Sequence, residues 1–224
     1  MQLNWLDQPK TDNLPLSDGF PDKMVILDCE TTGGRAKYHR IIEIGLVVIE
    51  NGRLIETWQS FINPETIIPT FIQKLTGIKP NMLNNAPIFS EIADILHEKL
   101  ENRTLVAHNA RFDYSFLKSE FSRIGINYST KPLCSVKLSR NLYPQFKRHG
   151  LSEIIKRFKL NIENRHRALD DAQMVFDFFA KTSAIYSSQE IEACCKQLLK
   201  RTTLPPLLDP EEVNKIPNTA GVYY

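Results

Sequence analysis

The chain has 224 residues, 42% of them hydrophobic and 24% charged. That is the composition of one globular domain with room for appendages, and it excludes a disordered or collagen-like chain. The longest uncharged run, Pro80–Ser90, contains two prolines and falls short of the roughly 20 apolar residues of a membrane span. The first seven residues hold no basic region followed by an apolar one. No signal peptide and no membrane partner are therefore expected, and the expected location is cytoplasmic. Cys29, Cys134, Cys194 and Cys195 form no C-x-x-C pair, so reduced thiols are expected rather than a disulfide framework or a zinc site.

The formal net charge is only +2, but it is unevenly spread. Between Lys131 and Leu169, ten Lys and Arg residues face two acids, Glu153 and Glu163. A basic stretch in an otherwise acidic chain fits a polyanion-binding face, and equally a solvated helical surface.

In chain order, residues 1–22 read as an N-terminal arm. Lys23–Leu27 is a short apolar run of β-formers, a buried strand. Ile41–Glu50 and Arg53–Ile62 flank Asn51-Gly52, a strong hairpin signal. Ser90 is placed to cap a helix carrying Ile92, Ile95, Leu96 and Leu100. Thr104–His108 reads as a fourth strand, Phe112–Ile124 as a helix stopped near Gly125, and Pro132–Val136 as a fifth strand. Leu151–Phe158, Ala168–Ile185 and Ser188–Arg201 read as helices, followed by a linker over Thr202–Pro210. Strands first, then alternating strands and helices, predict an α/β fold with a mixed five-stranded sheet flanked by helices.

Acids cluster where these elements end. Asp28 and Glu30 follow the first strand and share one face, with Cys29 on the other. Two carboxylates there repel each other, and a cation between them would remove the penalty; taken alone they are also compatible with solvated loop acids. Asp113 lies where the fourth strand gives way to a helix, a place also suited to a helix-dipole partner. Asp171 shares a helix face with Val175 and Phe178, so it looks inward and needs a partner. Asp170 shares the more polar face with Met174, Asp177 and Lys181 and is expected to face solvent.

Together these clusters resemble the three exonuclease motifs of the DEDDh (DnaQ-like) superfamily. The resemblance rests on Asp28-Cys29-Glu30-Thr31-Thr32-Gly33, Leu75-Thr76-Gly77-Ile78, Val106-Ala107-His108-Asn109-Ala110-Arg111-Phe112-Asp113, and the Arg165–Ala172 block with His166. It spans about Lys23 to Ile185 and implies a ribonuclease-H-like fold and 3′-to-5′ removal of nucleotides. Many relatives have Asp-Thr where this chain has Cys134-Ser135, a position that is not a metal ligand in the family.

The resemblance implies that Asp28, Glu30, Asp113 and Asp171 hold two divalent ions roughly 4 Å apart that clamp the scissile phosphate. Oxygen ligands suit Mg2+ or Mn2+ rather than zinc. Asp28 would bridge the ions, Glu30 and Asp171 would complete the first site, and Asp113 would act on the second. His166 is the expected general base, since an ordinary imidazole titrates near ~6.5. Thr31 and Thr32 are expected at the terminal sugar, with Leu75, Ile78 and Phe112 as apolar surfaces for terminal bases. His108 and Asn109 complete the substrate side, His108 shaping the strand end. The basic stretch would hold the phosphate backbone.

The expected function is a metal-dependent exonuclease on the 3′ end of single-stranded or frayed DNA, in DNA repair, with excision-repair or polymerase partners. The alternatives are a proofreading subunit like the bacterial epsilon subunit, an RNA-trimming exoribonuclease, and a non-catalytic nucleic-acid-binding relic. A nucleotide-cofactor enzyme is disfavoured because no G-x-G-x-x-G occurs.

The last residues, Val213 to Tyr224, include Gly221-Val222-Tyr223. This segment resembles the opening of a GIY-YIG nuclease domain of the kind found in UvrC-type excision nucleases. The expected division is an arm over 1–22, the exonuclease domain over 23–185, a helix and linker over 186–209, and the start of a truncated GIY-YIG-type domain over 210–224.

Overall fold

The computed structural model describes residues 15–162 and 165–200. Five strands form one sheet: β1 (Lys23–Thr31), β2 (Ile41–Glu50), β3 (Arg53–Phe61), β4 (Thr104–Ala107) and β5 (Leu133–Cys134), in the order β3-β2-β1-β4-β5. β1, β2 and β3 pair antiparallel, whereas β4 and β5 run parallel to β1. This is the mixed five-stranded sheet expected from the sequence. The β2–β3 turn uses Asn51 and Gly52, both at positive φ (49° and 74°), as a tight hairpin requires. A side chain at Gly52 would also strike the backbone of Leu16.

The sheet is covered on both faces. Met24 and Ile26 of β1 join one core with α5 (Ser135–Leu142), α6 (Leu151–Phe158), α7 (Ala168–Ser183) and α8 (Ser188–Lys200). The alternate residues Val25, Leu27 and Cys29 join the other core with α3 (Phe89–Leu100) and α4 (Arg111–Arg123). β1 therefore reads as a continuous apolar run, as a doubly covered strand should. Two short helices, α1 (Thr70–Thr76) and α2 (Pro80–Leu83), add a small cluster against Ile42. No helix among the described residues is long and apolar enough to cross a membrane.

Several local expectations are corrected. Residues Pro132–Val136 do not form a full strand: β5 ends at Cys134, and Ser135 opens α5. A short apolar run fits either a strand or a buried helix segment, and here Leu138 and Ser139 are buried on the helix. Ser90 is not a cap, because α3 already begins at Phe89 and the Glu91 carboxylate accepts the Ile88 N–H at 2.9 Å. The division at 22/23 also does not mark the edge of the core. Leu16 and Phe20 are buried in it, and Phe20 stacks on Phe179 at 4.4 Å. Ile191, Cys194, Cys195 and Leu198 of α8 are buried in the same core, beyond the expected limit at 185. The GIY-YIG-like segment 210–224 lies outside the described residues.

Candidate active site

The site is built where β1 outruns its neighbour. β1 pairs with β4 only as far as Ile26, opposite Val106, and then continues along β2 to Thr31. The segment Asp28–Thr31 thus has strand on one side only. Asp113, in the first turn of α4, fills the gap: its carboxylate accepts the backbone N–H of Cys29 at 3.2 Å.

Asp28 and Glu30 share the face of Met24 and Ile26, toward α7. Gly45 lies opposite Asp28 in the β2 pairing. A Cβ there would come within 2.2–2.4 Å of the backbone of Ala168 and Leu169. Glycine therefore lets the start of α7 rest directly on the sheet, which carries Asp171 down to the acids of β1.

One ligand atom each from Glu30, His166 and Asp171 lie within 4.8 Å of one another. The charges of Asp113, Asp171 and Glu30 all act on Asp28, so the four acids and His166 converge. Burial first, and then those neighbouring acids, raise Asp28 well above the usual carboxylate range. Burial raises Glu30 to about 8, helped by Asp171 and Glu43. Asp113 rises to about 7 through burial, partly offset by its backbone hydrogen bonds. Asp171 is raised by burial and lowered by Arg165, which donates a hydrogen bond to it. A divalent cation fits this donor set, because it would relieve four buried carboxylates that resist ionising, Asp28 and Glu30 also through the charges of neighbouring acids.

Asp171 is 5% exposed, and Val175 and Phe178 on its face are in the core. Asp170 is half-buried, with its charge acting on Arg167, rather than fully in solvent. His166 takes a left-handed backbone conformation (φ 61°) immediately before α7.

The expected substrate residues separate into groups. Thr31 and Thr32 are buried, and their hydroxyls are engaged: Thr31 donates to Gly33 O, and Thr32 accepts the Arg40 N–H. The Thr32 backbone N–H is engaged as well, donating to Arg40 O at 2.8 Å. Leu75 is half exposed, whereas Ile78 is fully buried among Ile42, Ile68, Ile72 and Leu83. Ile78 thus offers no surface to a base, because it is the apolar plug under the α1–α2 turn. Phe112 is half-buried, its ring 4.9 Å from Phe116. Asn109 makes the left-handed turn (φ 74°) into α4 and accepts the Phe112 N–H. His108 bonds Ser135 Oγ at 2.9 Å, and burial with the charge of Arg165 pushes it down to about 4. It is neutral at neutral pH and ties β4 to α5.

The residues missed in the sequence are the charged partners behind the site. Glu43, directly opposite Glu30, is paired with Arg167. Glu120 is paired with Arg40 and Arg123. A signal existed for Glu43: it is a lone acid in the apolar run Ile41–Ile49. The basic stretch is also less free than its composition implies. Arg165 and Arg167 pair with Asp171 and Glu43, and Arg157 stacks on Phe146 at 3.8 Å.

A family model described as exonuclease (RNase_T) matches residues 25–179. The chain belongs to this exonuclease family. The exonuclease domain is 36% identical, over 76% of this chain, to the "DNA polymerase III PolC-type" of Caldanaerobacter subterraneus subsp. tengcongensis. It is 38% identical, over 66% of this chain, to the "3′-5′ exonuclease DinG" of Staphylococcus haemolyticus. The matches span only 12% and 16% of those longer proteins. Among solved structures, Exonuclease X in complex with 5′ overhanging duplex DNA matches with a TM-score of 0.59, at 22% identity, over 77% of this chain and 99% of that one. The nuclease domain of 3′hExo, a DEDDh family member bound to rAMP, matches with a TM-score of 0.63, at 19% identity, over 74% and 94%. At these identities the structures show a shared fold, the ribonuclease-H-like architecture expected from the motifs.

Proposed function

We propose that the exonuclease domain is a divalent-metal-dependent 3′-5′ exonuclease that hydrolyses DNA ends. The observation that carries this reading is the convergence of Asp28, Glu30, Asp113 and Asp171 with His166 at one end of the sheet. Asp28, Glu30, Asp113 and Asp171 would hold Mg2+ or Mn2+, which when bound supplies Lewis-acid stabilisation of charge on the scissile phosphate. His166 accepts the proton of the attacking water as its oxygen bonds to phosphorus and the bond to the leaving 3′ oxygen breaks. Asp113 is oriented for its role by the Cys29 N–H. The Thr31–Thr32 backbone lies against the terminal sugar, and Leu75 and Phe112 offer apolar surface to terminal bases, which suits sequence-indifferent stacking.

DNA is favoured because the polymerase and the Exonuclease X complex are named for it. The rAMP bound to 3′hExo keeps RNA as the competing substrate. The polymerase likeness also supports a proofreading context. The GIY-YIG-like residues 210–224 support excision repair, with the chain acting in the cytoplasm. The test is degradation of matched 5′-labelled single-stranded DNA and RNA, with Mg2+, Mn2+ or chelator. A ladder shortening from the 3′ end, abolished by chelator, is expected. Absence of shortening on both substrates would overturn the reading, and faster RNA decay would reassign the substrate.

A further inference from the structure

We propose that Glu43 and Arg167 are positioning residues: together they clamp the His166–Asp171 segment onto the sheet, and Glu43 is not a metal ligand although it borders the acidic cluster. The inference rests on the exonuclease reading, since it concerns the placement of His166 and Asp171.

Glu43 is 1% exposed and lies directly opposite Glu30 in the β1–β2 pairing. Side chains so paired share a face, roughly 5 Å apart at Cβ, and the charge of Glu43 helps to raise Glu30. By place and chemistry Glu43 is a fifth carboxylate of the cluster. What sets it apart is its partners. Arg167 Nε donates to both Glu43 oxygens, at 3.0 and 3.2 Å, and Arg167 Nη2 donates to Oε1 at 2.8 Å. The backbone N–H of Ala168 donates to Oε2 at 3.1 Å. Both oxygens are thus committed to the strand-to-helix contact.

The same bonds fix the chain on both sides of Arg167. His166 precedes it in a left-handed conformation, which a non-glycine residue adopts at a cost and only when its surroundings impose it. Ala168, pinned by Glu43, is the first residue of α7. The Arg167 carbonyl accepts the Asp171 N–H at 2.9 Å, so the arginine that grips Glu43 also closes the turn that presents Asp171. Its guanidinium lies 5.2 Å from the Phe61 ring centre, a further restraint. Gly45 completes the cradle by admitting the Ala168–Leu169 backbone. Glu43 and Gly45 of one strand thus set the height and angle at which His166 and Asp171 meet Glu30.

The experiment compares the full chain carrying Glu43→Gln, Arg167→Gln, Arg167→Lys or both Gln changes, on single-stranded DNA, well below each variant's Tm. Each Gln single variant is expected to lose at least about 30-fold in kcat with KM within about threefold, because only placement of reacting groups is lost. The double variant should be no worse than the poorer single, since the two act as one unit. Arg167→Lys should recover part of the loss, keeping the charge but not the fork. Mn2+ titration followed by electron paramagnetic resonance should give Glu43→Gln and Arg167→Gln Kd values within about threefold of each other, since both act through the placement of Asp171, whereas loss of a direct ligand would weaken Glu43→Gln alone by about tenfold or more. Should Glu43→Gln fail to fold, the double variant, which leaves no unpaired charge, carries the test. A kcat within threefold of wild type in the folded variants, additive losses, or Mn2+ binding weakened about tenfold or more in Glu43→Gln or the double variant but not in Arg167→Gln would overturn the proposal. Wild-type protein that neither binds Mn2+ nor cleaves would instead overturn the exonuclease reading.

Discussion

The Cys29 backbone N–H and the Asp113 carboxylate meet at 3.2 Å across 84 residues of sequence, at the point where β1 has no strand beside it on the β4 side. One acid thereby serves the fold and, as a proposed metal ligand, the chemistry. Asp113→Ala removes both functions. It leaves a buried N–H without an acceptor, at a cost of about 1–3 kcal/mol, and deletes a proposed metal-binding oxygen. Asp113→Asn keeps an acceptor for Cys29. Its stability should therefore stay close to wild type, while exonuclease activity still falls at least about a hundredfold for want of the charge. Thermal melts of both variants beside turnover assays check this. Equal destabilisation by Ala and Asn would show that the Cys29 contact contributes little.

The raised acids give the metal-free protein a distinctive pH dependence. An unfolded glutamate titrates near ~4.3, whereas folded Glu30 titrates at about 8, with Asp28, Asp113 and Asp171 raised as well. Between these limits the folded chain holds more protons than the unfolded one, so stability falls as pH rises. The Tm in chelator should therefore drop from about pH 4.5 to about pH 8, the window set by the Glu30 shift. Saturating Mg2+ should flatten or reverse the slope, since a bound cation favours the ionised carboxylates. A Tm in chelator that climbs with pH across this window would contradict the clustering of the acids.

Much of this was legible in the sequence because it rests on local periodicity. The β1 run, the Asn51-Gly52 hairpin and the inward face of α7 are read from alternation and helical spacing within a few residues. Asp28, Glu30, Asp113 and Asp171 were each ambiguous taken alone and became legible through the order and spacing that resemble the exonuclease motifs; Asp28 and Glu30 lie within β1, which runs on to Thr31, rather than after it. The Glu43–Arg167 and Glu120–Arg40 pairs were not, because they join residues about 80 to 124 apart in sequence, and no local pattern encodes such a partner. The burial of Ile78 depends likewise on the α1–α2 turn folding over it. In α5, the switch from expected strand to helix turns on the contacts of Ser135 with Ala107 and His108, which exist only once β4 is in place.

The adjacent acids Asp170 and Asp171 should differ sharply. Asp171, buried beside His166 and Glu30, should be essential, and Asp171→Asn should abolish cleavage or nearly so. Asp170→Asn should remain within roughly tenfold of wild type, about 1.4 kcal/mol of barrier. Turnover of both variants on one labelled DNA strand decides the matter. An inactive Asp170→Asn alongside an active Asp171→Asn would reverse the assignment.

His166 is within reach of Glu30 and Asp171, so its two readings, proton acceptor and metal ligand, make different predictions. As proton acceptor, His166→Ala should turn over at least about a hundredfold more slowly while Mn2+ binding and DNA affinity stay near wild type. Calorimetric titration of Mn2+ into both proteins separates the cases, because a lost ligand would weaken binding along with turnover.

Gly45 should be intolerant of even one carbon. A Cβ there meets the backbone of Ala168 and Leu169 rather than a flexible side-chain end, so α7 must shift or the strand must bend. Overpacking of this kind costs about 1–3 kcal/mol. The larger effect should be on rate, because the shift lifts Asp171 and His166 away from Asp28 and Glu30, and small misplacements of reacting groups can cost about a hundredfold. Gly45→Ala is therefore expected to retain a cooperative melt at a lower Tm while losing kcat out of proportion to stability. Full activity in Gly45→Ala would show that the close seating of α7 on β2 is not what sets the geometry of the site.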